Sequence, residues 1–400
     1  MVRLAMATPV LHLNRHVPHR TLHGHVWVYA TEVARLEGAA EPGDLVEVRD
    51  PGGHALGRGF YSPSSKIVVR LLSRRAGALD QDFFRTRLQQ ALAHRERVLP
   101  GRPARRLVNS EGDLLPGLIV DQYGEVLVVQ TTTVGMDRLL PMWRDLLCEL
   151  LHPRTILERN DLTVRAFEGL PERTGVLHGE PVSALRLRLG ALDFPCDPHD
   201  AHKTGVYLDQ QCNWEAVAAL VRPGMRVLDA FCHLGGFGLH ALAAGAGEAV
   251  LLDSSAAGLA GARQAAEWAG SAARVRLVED NAFGYLKGAD GAGERFDLVV
   301  LDPPSFTRTR DTVPQAMRGY KEIHLRALKM LAPGGVLATF SCSHHIAVQG
   351  FLAMVADAAG DAKRTLRREG LLSASPDHPV LVGVPESEYL KGAVFTVLEG

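Results

Sequence analysis

The stretch RVLDAFCHLGGFGLHA, Arg226–Ala241, decides the fold. An apolar run closes on the carboxylate of Asp229, a turn with Gly235, Gly236 and Gly238 follows, and apolar residues then continue at helical spacing. Glycine lets the backbone approach a ligand closely, and the helix that starts here offers unpaired N–H groups. Working outward, the alternation recurs in EAVLLD (248–253), SAAGLAGARQAAEWAG (255–270), RVRLVED (274–280), FDLVVLDPP (296–304) and GGVLATFSC (334–342). Near-continuous apolar strands separated by helices predict an α/β domain, a doubly wound and mostly parallel sheet with helices on both faces. Ligands of such sheets sit beyond the carboxyl ends of the strands. Gly236, Gly238 and Ala241 also satisfy the G-x-G-x-x-A pattern of dinucleotide binders, which makes a nicotinamide cofactor a rival reading. That pattern puts its first glycine directly after the strand, whereas six residues, Asp229 to Leu234, intervene here. A plain strand-to-helix turn is the third reading.

Three further strand ends carry chemistry. Asp253 closes EAVLLD about 20 residues past the glycines, where a carboxylate can accept both hydroxyls of a ribose. The other reading is an N-cap for the next helix. Asp302 closes FDLVVL, and Pro303 and Pro304 fix the chain beside the crevice because neither can extend the strand. Methyltransferases that act on amino groups carry an acidic or amide residue, two prolines and an aromatic here; Ser305 separates Pro304 from Phe306 in this chain. Cys342 falls at the end of the following strand and therefore beside Asp302. A buried cysteine is ordinarily a small hydrophobe. In this place a second reading arises, because carbon 5 of a pyrimidine accepts a methyl group only after a thiolate has added to carbon 6. Ser341 and Ser343 would flank the thiol and leave room for a base. His344 and His345 lack a third ligand at metal spacing, so no metal is expected; they start a helix or line the pocket, with a general-base role as the alternative.

Ahead of this region, residues 1–78 hold short β-type runs, HVWVYATEV, DLVEVRD and KIVVRLLS, punctuated by EPGD, DPGG and GRG, which predict a small β-barrel-like unit. DQDFFRTRLQQALAHRERVL opens residues 79–190 as a helix started by Asp80 and Asp82. Two strands around DQYG, a helix over MDRLLPMWRDLLCELL and a strand at TILERND complete a small α+β middle domain. Residues 191–400 form the α/β domain. A net charge of −1 gives no global signature of nucleic-acid binding. Local clusters, Lys66, Arg70, Arg74 and Arg75 and the run RERVLPGRPARR, keep RNA binding open. No apolar run reaches membrane-spanning or signal-peptide length, so a cytoplasmic protein without membrane association is expected. The five cysteines form no CxxC pair, which argues against a disulfide framework or zinc site.

At these residues the sequence closely resembles the class I S-adenosylmethionine-dependent 23S ribosomal RNA cytosine-5 methyltransferases with an N-terminal PUA domain. DPPSF…RGYKEIHLRALKMLAPGGVLATFSCSHHI carries the resemblance most specifically; HKTGVYLDQQCNW, GHVWVY, GRGFYSPSSKIVVRLLS and RLVNSEGDLLPGLIVDQYG extend it over almost the whole chain. The resemblance implies a Rossmann-like methyltransferase domain and S-adenosyl-L-methionine as cofactor. It implies that Asp229, Phe231, Gly235, Gly236, Phe237, Asp253, Ser254 and Tyr207 hold the cofactor, with Asp280 and Asn281 near its adenine. Asp302 would touch both cofactor and target base, Cys342 would be the nucleophile, and Lys203, Thr204, Pro303, Pro304 and Phe306 would border the RNA. The chain departs from the family pattern at His233 and Leu234, often Tyr-Thr in the family, at His202, often Gln, and in GARQAAEWAG, which lacks the usual asparagines. The implied partner is 23S ribosomal RNA, free or in an assembling large subunit, and a homodimer is compatible with it. Two other functions stand beside this one: methylation of a guanine or amino nitrogen with Cys342 only packing, and a non-catalytic RNA-binding or assembly role. Cofactor binding separates the last from the others, and the identity of the modified base separates the first two.

Overall fold

The N-terminal β-type runs pair into a six-stranded sheet in the computed structural model, which describes residues 8–15, 20–75, 77–199, 206–307 and 309–398. Its strand order is Trp27–Tyr29, Ile67–Ser73, Ala55–Tyr61, Leu45–Arg49, Val10–Leu13, Val33–Glu37, antiparallel except where Val10–Leu13 runs alongside Leu45–Arg49. Alternating residues such as Val46, Val48, Val69 and Leu71 bury one face. Helix Gln81–Val98 follows, capped by the Asp80 carboxylate, which accepts from the Phe83 N–H. Such a cap is worth about 1 kcal/mol. A five-stranded sheet, ordered Arg173–Gly179, Thr155–Asn160, Val126–Thr131, Leu118–Tyr123, Ala104–Asn109, packs with helix Leu140–Leu151 around Trp143, Leu146 and Leu147.

The described chain falls into two compact units. The first comprises residues 1–184, 197–206 and 376–387; the second comprises 185–196, 207–375 and 388–400. Nothing in the sequence marks the return of 376–387 to the first unit. It is held there by polar contacts: Asp377 accepts from the Arg106 N–H at 2.8 Å, and the Arg20 guanidinium donates to Glu386 at 2.7 Å. Among the described residues no helix is long and apolar enough to cross a membrane.

The second unit contains the alternating region. Its strands and helices run β1 (Arg226–Ala230), α1 (Gly236–Ala243), β2 (Glu248–Asp253), α2 (Ala256–Trp268), β3 (Val275–Glu279), α3 (Ala282–Gly291), β4 (Phe296–Leu301), α4 (Val313–Met330), β5 (Leu331–Ser341), α5 (Val348–Asp361), β6 (Thr365–Ser373) and β7 (Lys391–Leu398). They form one sheet in the order β3-β2-β1-β4-β5-β7-β6, parallel except that β7 is antiparallel to both neighbours. The order reverses between β1 and β4, and a crevice at their carboxyl ends is the ligand position of such sheets. The central strands are buried almost end to end, as the unbroken apolar runs require. Helix α4 turns Ala316, Tyr320, Ile323, Ala327 and Met330 inward at alternating four- and three-residue steps. Each large apolar side chain so buried stabilises the unit by about 1.5–3 kcal/mol.

Candidate active site

The turn between β1 and α1 is the most constrained backbone of the second unit. Phe231 and His233 take φ values of 65° and 49°, left-handed conformations that cost a non-glycine residue energy, and Gly235 follows at 75°. Hydrogen bonds hold them there. The Phe231 and Cys232 N–H groups donate to the Leu252 carbonyl at 2.8 and 3.1 Å, and the His233 N–H donates to the Asp253 carboxylate at 2.7 Å. The other oxygen of Asp253 accepts from the Ser255 N–H at 2.8 Å. Helix α2 is capped by the Ser255 hydroxyl, which accepts from the Gly258 N–H, so Asp253 is not its cap. Each Asp253 oxygen keeps lone-pair capacity beyond its one backbone bond.

Asp229 is fully buried behind this turn. One carboxylate oxygen accepts from the Gly238 N–H at 2.8 Å; the other has no hydrogen-bond partner. Burial pushes its pKa up to about 8, against the Gly238 hydrogen bond and with help from the charges of Asp302 and Asp253. An orphaned carboxylate oxygen in a dry site fits a cationic ligand, and the ammonium-bearing, positively charged S-adenosylmethionine is one. The glycines have a more local reason than ligand approach. A Cβ on Gly236 would lie 2.4 Å from the Trp214 ring, and one on Gly238 would lie 2.3 Å from the Leu251 side chain. They let α1 pack on β2 and on the helix Gln211–Ala218 that carries Trp214, a requirement that the sequence does not display.

Across the crevice, β4 and β5 end side by side, with Leu301 opposite Thr339. Asp302 follows β4 directly and accepts from the Gln210 side-chain amide at 2.9 Å; the Gln210 oxygen is in turn held by Asn213 at 2.6 Å. Cys342 is partly exposed, while Ser341 and Ser343 on either side are fully buried. Beyond flanking the thiol, these serines have partners of their own. Ser341 donates to the Tyr320 hydroxyl at 3.0 Å, Tyr320 and Ser343 are 3.0 Å apart, and Ser343 meets Ser305 at 2.9 Å. The serines are anchors that fix the strand end beneath the thiol. Tyr207 stands edge-on to His233, with ring centroids 5.1 Å apart. Burial pushes its pKa up to about 12, and the charges of Asp302, Asp209, Cys342 and Asp253 add to the rise.

The remaining sequence-predicted residues distribute unevenly. Phe237 packs its ring on Phe340, 5.1 Å away, and is 4% exposed, leaving only its backbone for a ligand. Ser254 is exposed at the turn after β2. Asp280 and Asn281 are exposed after β3, where the Asn281 side-chain oxygen caps α3 through the N–H groups of Phe283 and Gly284. Pro303 is buried and Pro304 exposed. Phe306 is wedged among Tyr320, Phe283 and Phe231 at 4.6, 5.7 and 6.5 Å. His344 tilts against Tyr389 at 5.8 Å on the surface. Lys203 and Thr204 lie outside the described residues. Residues missed in sequence are Gln210, Trp214, Tyr320 and Lys391. The first two sit inside HKTGVYLDQQCNW, and that run of polar and aromatic residues ahead of the strand was the available signal.

Comparison with known proteins gives this geometry a context. Residues 11–74 match a PUA-like domain family, and residues 169–381 match the family described as S-adenosylmethionine-dependent methyltransferase. The chain is 39% identical over 378 residues to a ribosomal RNA large subunit methyltransferase I of Aeromonas salmonicida, spanning 93% of this chain and 95% of the relative. It is 40% identical over 383 residues to the protein of the same name from Aeromonas hydrophila, with the same coverage. In fold it is similar to a protein from Streptococcus mutans described as a SAM-dependent methyltransferase, with a TM-score of 0.82 and 19% identity over 97% of this chain and 100% of that one. A methyltransferase structure complexed with SAH superposes with a TM-score of 0.84 at the same identity and coverage.

Proposed function

Because the chain belongs to the family of S-adenosylmethionine-dependent large-subunit ribosomal RNA methyltransferases, we propose that it methylates carbon 5 of a cytosine in 23S ribosomal RNA by covalent catalysis through Cys342. The observation that carries this reading is a partly exposed thiol and a carboxylate held by Gln210 at the ends of adjacent paired strands. Nitrogen methylation needs no sulfur there.

In this reading the Cys342 thiolate adds to carbon 6 of the ring, and the electron pair of the 5,6 double bond makes carbon 5 nucleophilic. Bound S-adenosylmethionine supplies an electrophilic methyl group. Asp302, oriented by Gln210, accepts from the exocyclic amino group of an unstacked base and so holds the ring edge over the thiolate. Once carbon 5 carries the methyl group, its proton passes to water at this partly exposed strand end, the double bond is restored and the thiolate is expelled. Asp229 and Asp253 hold the cofactor's cationic and ribose ends, and the PUA-like unit, with Lys66, Arg70 and Arg74 on its last strand or just beyond, contributes RNA affinity.

An RNA carrying 5-fluorocytosine at the target position tests this. Fluorine blocks the proton loss, so wild-type enzyme should form an RNA–protein complex that survives denaturation and maps to Cys342. Mass mapping of 23S RNA from cells with and without the gene should show one methylcytosine gained. A methyl group found on a ring or amino nitrogen would reject the proposal.

A further inference from the structure

Strand β7 carries a lysine into the interior against the segment that holds Cys342. Lys391 is 6% exposed, its Cα stands opposite Ser341 in the β5–β7 register, and its Nζ donates to the Ser343 carbonyl at 2.6 Å. The side chain therefore runs from the residue before Cys342 to the residue after it, alongside the backbone that carries the sulfur. Among the described residues no carboxylate lies within 4.0 Å of this ammonium to form an ion pair. A buried cation supported only by a carbonyl is costly, and an anion close by offsets that cost.

We propose that Lys391 is a positioning residue for Cys342: its ammonium holds the sulfur as thiolate, and its hydrogen bond to the Ser343 carbonyl fixes the turn that presents it. The proposal rests on Cys342 being the nucleophile. The thiol proton leaves to solvent and the lysine keeps its own. Burial draws the Lys391 pKa down, while Cys342 and Glu388 draw it back up. Tyr207 and Tyr320 are both held neutral by burial, Asp302 and Asp209 repel a thiolate, and His344 is on the surface against Tyr389.

The test is alkylation of the full-length protein by iodoacetamide across roughly pH 5.5 to 10, with the Cys342 peptide followed by mass spectrometry so that the other thiols do not interfere. In the wild type, Cys342 should react with a midpoint below the ordinary thiol value of about 8.5. Lys391→Met should raise that midpoint by about one unit or more and slow labelling at neutral pH about tenfold, whereas Lys391→Arg should keep most of the wild-type profile. A wild-type midpoint at or above the ordinary value overturns the proposal even where Lys391→Met does not fold. An unchanged midpoint in folded Lys391→Met overturns it as well. Methyl transfer by Cys342→Ala reports separately on the nucleophile: if that variant turns over while labelling still depends on Lys391, the pairing stands and covalent catalysis falls.

Discussion

On the β1–β2 side of the crevice, carboxylates hold backbone: Asp253 grips the N–H groups of His233 and Ser255, and Asp229 grips that of Gly238. On the β4–β5 side, side chains hold side chains: Gln210 holds Asp302, and Tyr320 links Ser341 to Ser343 beneath Cys342. A backbone cradle has one shape and suits a ligand that is the same in every turnover. A side-chain network places individual reacting atoms, and each of its members can be removed without unmaking the turn. Substitutions on the first side should therefore act on cofactor affinity and stability, and those on the second on turnover.

Cys342→Ala is the sharpest break between the two. Methyl transfer to 23S RNA should fall at least about a thousandfold, the scale on which loss of a nucleophile acts. S-adenosylmethionine affinity by calorimetry should stay near wild type, because the Asp253 and Asp229 cradle is untouched. A matching loss of affinity would show that the two sides are not separate.

Asp253→Ala is the converse. It removes two charge-assisted bonds that hold the strained turn as well as the proposed ribose contact, so affinity should drop by about 2–3 kcal/mol, roughly 30- to 150-fold. Saturating cofactor should restore much of the rate. Gly236→Ala should act on the same side through packing, since its Cβ meets the rigid Trp214 ring. Overpacking of that kind costs about 1–3 kcal/mol, to be read as a lower denaturation midpoint with an unchanged denaturant slope.

The two sides also differ in how far the sequence reveals them. Strand ends are legible because an apolar run that stops on Asp229, Asp253, Asp302 or Cys342 announces a side chain at the crevice whatever surrounds it. The α/β alternation is legible for the same reason, since buried parallel strands have no polar face to vary. What surrounds the strand ends depends on pairings distant in sequence. Tyr320 reaches the serines only because α4 lies across β5, and Lys391 reaches the Ser343 carbonyl only because β7 inserts antiparallel between β5 and β6. The packing reason for Gly236 and Gly238 is not legible in the sequence, because Trp214 and Leu251 become their neighbours only in the folded unit.

Gln210→Ala should show a smaller effect on the turnover side. Asp302 would lose a neutral amide donor worth about 1 kcal/mol, so kcat should fall up to about tenfold while cofactor affinity holds. Gln210→Glu should be worse, because a second carboxylate beside Asp302 repels it. Equal rates for wild type and Gln210→Ala would show that Asp302 needs no orientation.

The last test concerns Asp229 and is read from pH. Burial raises its folded pKa to about 8, above the unfolded carboxylate value of about 3.9. A raised carboxyl pKa means that the folded protein binds the proton more tightly than the unfolded chain does. Its contribution to stability is then fully present below the unfolded value and is lost as pH rises toward about 8. Asp229→Asn keeps an oxygen to accept from Gly238 and has no charge to bury, so it should flatten the decline in unfolding free energy across that window. In the wild type, a cationic ligand beside the orphaned oxygen favours the ionised form, so binding S-adenosylmethionine at neutral pH should release a proton. Calorimetry in buffers of different ionisation enthalpy would register that release, and Asp229→Asn should abolish it. If wild type and variant exchange the same number of protons on binding, the orphaned oxygen does not face the cofactor's charge.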